Sequence, residues 1–220
     1  KVPSPGNVTF EVVRGPFGPA VYTSYFEFEA SAVVLALIPD RGPREGGSRL
    51  LISGDHFSYR AARLGLLRCR FNTTDVVAEF ISSRSIACIT PANDPGPTPV
   101  EVTNNMQQYT SSGLTYTFDA VALLAVYPVH GPVRGGSLTT IDVDFSTAPI
   151  RNSLACIFGG IDSVAASFDS TGRVTCVSPP ASDSVAGAVT LSIGSSYAVY
   201  LSALLFIYEA EPALHSLFPV

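Results

Sequence analysis

A proline- and glycine-rich stretch that recurs along the chain constrains its fold more than any other feature. It reads Ile-Pro-Asp-Arg-Gly-Pro-Arg-Glu-Gly-Gly-Ser at residues 38–48 and Tyr-Pro-Val-His-Gly-Pro-Val-Arg-Gly-Gly-Ser at residues 127–137. Its opening returns as Leu-Phe-Pro-Val at residues 217–220. The first prolines of successive copies are 89 and 91 residues apart. A period of this length is too long for a solenoid unit and predicts a small domain repeated in tandem.

Each copy of the stretch predicts a strand, a rigid corner and a second strand. The prolines fix φ and lack an N–H donor, so the strand ladder is expected to break there. The glycines permit the positive φ of a sharp reversal. A phosphate-binding loop is the functional alternative, but the spacing fits neither G-x-G-x-x-G nor a P-loop, and no helix follows. The predicted structural corner consists of Pro39, Gly42, Pro43, Gly46 and Gly47 in the first copy and Pro128, Gly131, Pro132, Gly135 and Gly136 in the second.

The same order of short motifs follows the corner in both copies. The first copy contains Gly54-Asp55-His56-Phe57, Cys69-Arg70-Phe71, Cys88-Ile89-Thr90-Pro91, Val100-Glu101-Val102 and Tyr116-Thr117-Phe118. The second contains Cys156-Ile157-Phe158, Cys176-Val177-Ser178-Pro179, Val189-Thr190-Leu191 and Phe206-Ile207-Tyr208. This order resembles the IPT/TIG domain, an immunoglobulin-like fold shared by plexins, the hepatocyte-growth-factor receptor family, fibrocystin-like proteins and some transcription factors. The resemblance implies an all-β fold class of tandem immunoglobulin-like β-sandwiches.

One turn departs from the family pattern. At Val143-Asp144-Phe145 the second copy lacks the glycine of the first, and its loop is one residue shorter. The conformation of that turn stays open at the level of sequence.

The repeats divide the chain into four predicted segments. Residues 1–30 are expected to be the C-terminal part of a preceding repeat, because Phe-Glu-Phe-Glu-Ala at 26–30 matches Tyr-Thr-Phe-Asp-Ala at 116–120 and Phe-Ile-Tyr-Glu-Ala at 206–210. Residues 31–119 and 120–209 are two complete repeats, and residues 210–220 start another. We expect a window cut from a longer array, since half a sandwich cannot bury its apolar face. The short joints predict a semi-rigid rod.

Alternating or continuous apolar runs predict seven strands in each complete repeat. In the first repeat they are expected at 33–38, 49–53, 66–71, 76–80, 85–89, 99–103 and 114–118. In the second they are expected at 121–126, 138–143, 154–158, 163–168, 173–177, 188–193 and 203–208. Residues 60–67 have room for one helical turn, although Gly65 limits it.

Composition excludes several classes of partner. Charged residues make up 14% of the chain, against about 25% in an ordinary soluble domain, and the net charge is −5. An acidic chain without a basic patch is unsuited to nucleic acid and to anionic membrane surfaces. No apolar run approaches the roughly 20 residues that span a bilayer, so direct membrane insertion is not expected in this segment. The apolar excess favours large interfaces with neighbouring repeats and with other subunits or copies of the chain.

The four cysteines form two equivalent pairs, Cys69 with Cys88 and Cys156 with Cys176. Zinc, reactive thiols and disulfides are the competing interpretations. Structural zinc sites prefer C-x-x-C clusters with histidine partners. None of the three histidines stands at such a spacing from the cysteines. One pair per repeat fits a disulfide between two strands, and the family resemblance agrees. Disulfides in turn predict an extracellular or cell-surface location.

Two N-x-[ST] sequons support the same compartment. Asn72 occupies a turn after a strand, where a glycan would be accessible, and Asn7 precedes an apparent strand and is the weaker site.

No set of residues predicts catalysis, a metal site or a cofactor. His56, His130 and His215 do not converge in the repeat pattern, and Gly-x-Ser-x-Gly is absent. Asp142 and Asp144 share one strand face, as calcium ligands would, but a solvated face explains them better. The charges of the first corner, Arg41 among them, are expected to be solvated. The chain is therefore predicted not to be an enzyme.

Our first functional hypothesis is a structural protein: a longer extracellular array that builds a fibre, flagellar hair or cell-surface coat. The alternative is the stalk of a receptor or adhesion ectodomain of plexin type. An accessory domain of a starch-acting enzyme is disfavoured because the chain has no tryptophan for sugar stacking. A nuclear transcription factor is disfavoured by the paired cysteines and the acidic balance.

Overall fold

The computed structural model describes residues 6–145, 154–160, 162–181, 186–194 and 199–210. Nearly all regular structure in these ranges is β-strand, with one short helix, α1 (Tyr59–Arg63). The strands up to the end of the first repeat are β1 (Gly6–Val13), β2 (Ala20–Phe28), β3 (Val33–Ile38), β4 (Arg41–Pro43), β5 (Arg49–Asp55), β6 (Arg68–Phe71), β7 (Thr74–Ser82), β8 (Ser85–Ile89), β9 (Gly96–Thr103) and β10 (Thr115–Asp119). Those of the second repeat are β11 (Ala122–Tyr127), β12 (His130–Pro132), β13 (Leu138–Asp144), β14 (Ala155–Phe158), β15 (Asp162–Ala165), β16 (Ser167–Phe168), β17 (Val174–Val177), β18 (Gly187–Gly194), β19 (Val199–Tyr200) and β20 (Leu205–Glu209).

The described residues fall into two compact units. Unit 1 comprises those within 1–36, 51–88 and 100–114, and unit 2 comprises those within 37–50, 89–99 and 115–220. The predicted repeat boundaries at 30/31, 119/120 and 209/210 stay a prediction. The start of a further repeat at 210–220, with His215, lies outside the described residues apart from residue 210.

Unit 1 is built from antiparallel strands. Strands β1 and β2 form a hairpin whose side chains are almost all exposed. Strand β6 lies between β7 and residues 100–103 of β9, and β7 also pairs with β8. Helix α1 begins at the N-cap Ser58, whose Oγ accepts a hydrogen bond from the backbone N–H of Ala61, and it is the single helical turn for which the sequence has room. The buried side chains of unit 1 include Ile52, Phe57, Leu67, Phe71, Ile86, Val100 and Val102.

Unit 2 contains a two-sheet sandwich formed by the second repeat. One sheet has the strand order β11-β13-β17-β16, and the other has the order β12-β20-β18-β14-β15 with β19 beside β18. Inward-facing side chains of both sheets form one core, because alternate residues of each strand point to the same face. The core consists of Val126, Ile141, Leu154, Cys156, Phe158, Val174, Cys176, Leu191, Ile193, Tyr200, Phe206 and Tyr208. The predicted all-β, immunoglobulin-like fold class is confirmed.

The predicted strands all overlap observed strands, but β19 was not predicted, and the structure differs from the prediction in two further places. Residues 163–168 form two short strands instead of one: β15 pairs with β14 in one sheet, and β16 pairs with β17 in the other. The corner also contains strands that the prolines seemed to forbid. Strand β4 pairs in parallel with β10, and β12 pairs in parallel with β20. The backbone N–H of Thr117 donates to the carbonyl oxygen of Asp40, and that of Arg44 donates to the carbonyl oxygen of Asp119. The pairing of β4 with β10 is possible because these hydrogen bonds require no N–H from a proline.

The turn that departs from the family pattern has a structural explanation. At Gly54 a Cβ atom would lie 1.9 Å from the carbonyl oxygen of Val33 and 2.6 Å from the Phe57 ring, so only glycine fits. The second repeat has Val143 at this position, opposite Leu123 of β11. The pairing of β11 with β13 shifts register between Leu123 and Ala125, a bulge that accommodates the larger residue.

No helix among the described residues is long and apolar enough to cross a membrane.

Candidate functional site

Both cysteine pairs are disulfide-bonded in the structure. Cys69 on β6 and Cys88 on β8 have Cα atoms 6.5 Å apart, and Cys156 on β14 and Cys176 on β17 have Cα atoms 6.3 Å apart. All four side chains are buried. The second bond joins the two sheets of the second repeat, because β14 and β17 belong to opposite sheets. Peptide mapping of the natural protein is the test of these pairings.

The two copies of the corner have the same backbone geometry. Pro39 and Pro128 both follow cis peptide bonds. Gly46 and Gly47 have φ of 77° and 81°, and Gly135 and Gly136 have φ of 75° and 86°. Only glycine adopts this left-handed region without strain, which explains the glycine pair in both copies.

Two other glycines are required by close packing. A Cβ on Gly42 would lie 2.1 Å from the Tyr116 hydroxyl oxygen, and a Cβ on Gly131 would lie 2.5 Å from Ser137 Oγ and 2.6 Å from the Phe206 ring. Each corner is therefore packed against the last strand of its own repeat. We call this last strand, β10 in the first repeat and β20 in the second, the closing strand. Pro43 and Pro132 end the short strands β4 and β12 that pair with those closing strands.

A pair of side chains joins each corner to the last strand of its own repeat, β10 or β20. In the first repeat, Arg41 Nε donates to Asp119 Oδ2 at 2.9 Å, and its Nη2 donates to Asp119 Oδ1. At the equivalent positions of the second repeat, His130 Nδ1 lies 2.8 Å from Glu209 Oε1. The expectation that Arg41 is a solvated charge of the turn is wrong: its side chain is 30% exposed and its partner Asp119 is fully buried.

A third group completes the first of these pairs. The Tyr200 hydroxyl on β19 donates to Asp119 Oδ2 at 3.2 Å, and the Tyr200 side chain is 2% exposed. The hydrogen bond to Asp119 raises the pKa of Arg41. Burial, and then the negative charge of Asp119, raise the pKa of Tyr200 well above the ordinary value of a phenol. Arg41 thus stays a charged guanidinium and Tyr200 a neutral phenol throughout the physiological range.

Sequence reasoning did not identify this cluster. One signal was available, because Glu29, Asp119 and Glu209 occupy the same position in the three closing strands, 90 residues apart. Nothing in the sequence indicated Tyr200, since its strand is two residues long and lies 81 residues from Asp119.

The other titratable side chains that the sequence analysis singled out lie apart from one another where the structure describes them. His56 Nδ1 lies 3.1 Å from the carbonyl oxygen of Ser31 at an exposed position. Asp142 pairs with Arg173 at 3.0 Å. Across the described parts of the chain, no group of three or more His, Cys, Asp and Glu residues could hold a metal ion.

The sequons lie at exposed positions of unit 1. Asn72 is in the two-residue turn between β6 and β7 and has φ of 54°. Asn7 is in β1, opposite Glu27 of β2. Glycosylation of Asn72 and Asn7 stays a prediction.

A cleft of about 790 Å³ lies beside the first corner in unit 2. Its lining consists of Arg44, Glu45, Ala92, Asn93, Asp94, Ala120, Val121, Ala122 and Asp144. The lining carries both signs of charge and contains no histidine, cysteine or hydroxyl side chain.

Comparison with known proteins agrees with this description. Residues 32–118 match the family model of the IPT/TIG domain. Plexin-A3 of Homo sapiens is 28% identical over 191 residues, which are 81% of this chain and 10% of that protein. Plexin A3 of Danio rerio is 27% identical over 192 residues, or 82% of this chain and 10% of that protein. The chain thus spans about a tenth of the length of these relatives.

A solved structure shares the fold. The full extracellular region of plexin A4 superposes with a TM-score of 0.53 at 20% identity, over 90% of this chain and 18% of that one. IPT/TIG domains of such ectodomains are a non-enzymatic kind of module. These relatives do not support the fibre, flagellar hair or coat, and the receptor alternative fits them better. The chain therefore contains an IPT/TIG domain match at residues 32–118, and its plexin relatives and two disulfides indicate an extracellular or cell-surface location.

Proposed function

We propose that this chain is a segment of a receptor stalk, in which tandem IPT/TIG repeats hold other modules of the ectodomain at a set distance and orientation. The observation that carries the proposal is the similarity to plexins, which extends over 81% of the chain and so beyond a single repeat. A spacer needs stable folding and defined joints, and it needs no reaction centre.

The short joint between the repeats supports this role. Strand β10 ends at Asp119 and β11 begins at Ala122. Two linking residues leave little length for independent swivelling of the repeats. A stalk of such repeats would transmit orientation as well as distance.

The partners that we propose are proteins: the neighbouring repeats first, and then other subunits or copies of the chain. An apolar patch on the outer face of the second repeat supports lateral contact. Leu138 and Val177 are opposite each other on β13 and β17, are 64% and 51% exposed, and lie near the exposed Tyr127. The equivalent patch of the first repeat contains Arg49 in place of Leu138. An apolar surface of this kind is a common contact site between proteins.

The stalk and the fibre differ in how the natural full-length protein is held at the cell. We expect a receptor stalk to remain with membranes during washing at high pH and to become soluble in a mild non-ionic detergent. A fibre subunit would sediment in the same detergent as an insoluble polymer, and that result would reject the receptor proposal. Antibodies against residues 31–210 provide the readout, and intact, non-permeabilised cells should be labelled.

A further inference from the structure

Asp119 is a buried carboxylate at the end of a repeat. It is the last residue of β10, it precedes the two residues that lead into β11, and its side chain is 0% exposed. A carboxylate at the end of a closing strand would normally be solvated, because removing its charge from water is costly unless donors replace the water. Other residues must therefore shield Asp119 from water and donate hydrogen bonds to its carboxylate.

The donors come from both repeats. Arg41 belongs to the corner of the first repeat and binds both carboxylate oxygens. Tyr200 belongs to β19 of the second repeat, and its hydroxyl donates to Oδ2 at 3.2 Å. Both oxygens of Asp119 are thus satisfied, one of them partly by the following repeat.

The second repeat provides an internal comparison. His130 and Glu209 occupy the positions of Arg41 and Asp119 and form the same pair, yet their side chains are 48% and 62% exposed. Among the described residues, no tyrosine is bonded to Glu209. In the first repeat the equivalent carboxylate, Asp119, is buried and is also bonded to Tyr200.

The preceding joint has a related contact, which is exposed to solvent. Glu29 lies 90 residues before Asp119, at the equivalent position of the earlier closing strand. Its Oε1 accepts a hydrogen bond of 2.9 Å from Ser58 Oγ, the N-cap of α1 in the next repeat. In both cases a hydroxyl of the following repeat donates to the carboxylate that ends the preceding one.

We infer that the closing-strand carboxylate acts as a lock at each repeat joint, and that Tyr200 closes the lock on Asp119 and couples the stability of the first corner to the second repeat. The inference depends on the predicted boundary between residues 119 and 120. It does not depend on the receptor proposal, since any tandem array of these repeats would need defined joints.

Tyr200→Phe in the 220-residue chain tests the lock, because it removes the hydroxyl and keeps the ring. Amide hydrogen exchange reports on the first corner through the N–H of Arg44 and of Thr117, which bond to Asp119 and Asp40. We expect exchange at these two amides to accelerate about tenfold or more, as the loss of a hydrogen bond to a charged group implies.

Tyr208→Phe is the matched control. The Tyr208 hydroxyl donates to the carbonyl oxygen of Pro179 at 2.8 Å, so this variant also loses one hydrogen bond in the second repeat but none to Asp119. Exchange at Arg44 and Thr117 should be unchanged in Tyr208→Phe. Equal exchange in the wild type and Tyr200→Phe, or equal acceleration in both variants, would overturn the inference.

Asp119→Asn adds a second measurement. With the carboxylate replaced, Tyr200→Phe should have little further effect on exchange at Arg44. A full additional acceleration in this background would show that Tyr200 acts through another group and would reject the lock. The two tyrosine variants decide the question by themselves if Asp119→Asn fails to fold, since each conserves the packed ring.

Discussion

At the level of single residues, the two adjacent glycines of each corner are required for different reasons. A Cβ on Gly46 would lie 2.5 Å from the carbonyl carbon of Pro91, whereas a Cβ on Gly47 would meet nothing within 4 Å. Both residues have positive φ. Gly47 is thus required by conformation alone, and Gly46 by conformation and by space.

Alanine substitutions separate these two requirements. Gly47→Ala should lower the free energy of unfolding by about 1–2 kcal/mol, the cost of left-handed backbone for an L-residue. Gly46→Ala should lower it by a further 1–3 kcal/mol or so, because the methyl group collides with backbone that cannot move aside. Chemical denaturation of the 220-residue chain measures both.

The same two substitutions can be compared in the second corner. A Cβ on Gly135 would lie 2.5 Å from the carbonyl carbon of Pro179, and a Cβ on Gly136 would meet nothing within 4 Å. Equal losses for the two members of either pair would contradict the assignment of separate roles.

Asn72 has both a conformational and a chemical reason to be asparagine. Its φ of 54° suits asparagine, and Gly159 follows the equivalent strand of the second repeat with φ of 65°. The sequon predicts a glycan at the same residue. We expect treatment with an amidase that removes N-glycans to convert Asn72 of the natural protein to aspartate, as measured by peptide mass spectrometry.

Thr74→Ala is the control for this prediction. It destroys the sequon and leaves the asparagine in the turn, so the glycan should disappear while the thermal stability of the unglycosylated chain changes little. An Asn72 peptide with unmodified mass before and after treatment of the natural protein would reject glycosylation.

At the level of strands and turns, the sequence predicted those strands that have a local pattern of apolar residues. Each predicted strand overlaps a strand of the structure because inward-facing apolar residues alternate along it, as at Leu50 and Ile52 of β5. The short strands β4 and β12 were missed, because their partners lie 76 and 77 residues away and their own sequences read as turns. Tyr200 was missed for the same reason: its role depends on a contact between distant segments and leaves no local signature.

The second disulfide connects elements that hydrogen bonds do not connect. Strands β14 and β17 lie in opposite sheets, so Cys156 and Cys176 join the two layers of the sandwich. Cys156→Ala with Cys176→Ala should reduce the free energy of unfolding by about 3 kcal/mol according to the chain-entropy estimate for a loop of 20 residues. The midpoint of denaturation in guanidinium chloride measures the loss. Cooperative unfolding at an unchanged midpoint would show that the bond contributes little.

A cross-strand cluster in unit 1 should make the chain sensitive to acid. Arg70 Nε donates to Asp75 Oδ1 at 2.8 Å, the Tyr109 hydroxyl donates to Asp75 Oδ2 at 2.9 Å, and the guanidinium carbon of Arg70 lies 3.3 Å from the centre of the Tyr109 ring. The hydrogen bond from Arg70, helped by that from Tyr109, lowers the pKa of Asp75. A carboxyl with a lowered pKa stabilises the fold above its unfolded pKa of about 4, and this stability is lost as the pH falls through the folded pKa.

Asp75→Asn should therefore lower the melting temperature at pH 7, and its difference from the wild type should shrink as the pH falls below about 4. Thermal unfolding followed by circular dichroism between pH 7 and pH 2 measures this dependence. Asp94→Asn is the control: Asp94 is exposed and has no ion-pair partner in the described part of the chain, so this variant should keep a melting temperature close to that of the wild type at pH 7. A difference between Asp75→Asn and wild type that is independent of pH would reject the stabilising role of the Asp75 charge.

At the level of the whole molecule, the described residues form an almost all-β, immunoglobulin-like chain with two disulfides. The low charge that favoured a fibre also suits repeats that bury surface against other protein, as the exposed pair Leu138 and Val177 illustrates. The sequence alone could not separate a fibre from a stalk, because both are built from the same domain. Similarity to receptor ectodomains over most of the chain favours the stalk.

Disulfide mapping of the surface-exposed natural protein tests this account most directly. Intact cells are labelled with a membrane-impermeant biotin reagent, and the captured protein is digested under non-reducing conditions after free thiols are blocked. We expect linked peptides for Cys69–Cys88 and Cys156–Cys176 in the labelled pool, and no blocked thiol at any of the four positions. Free cysteines, a bond between the two repeats, or a protein that cannot be labelled from outside the cell would contradict it.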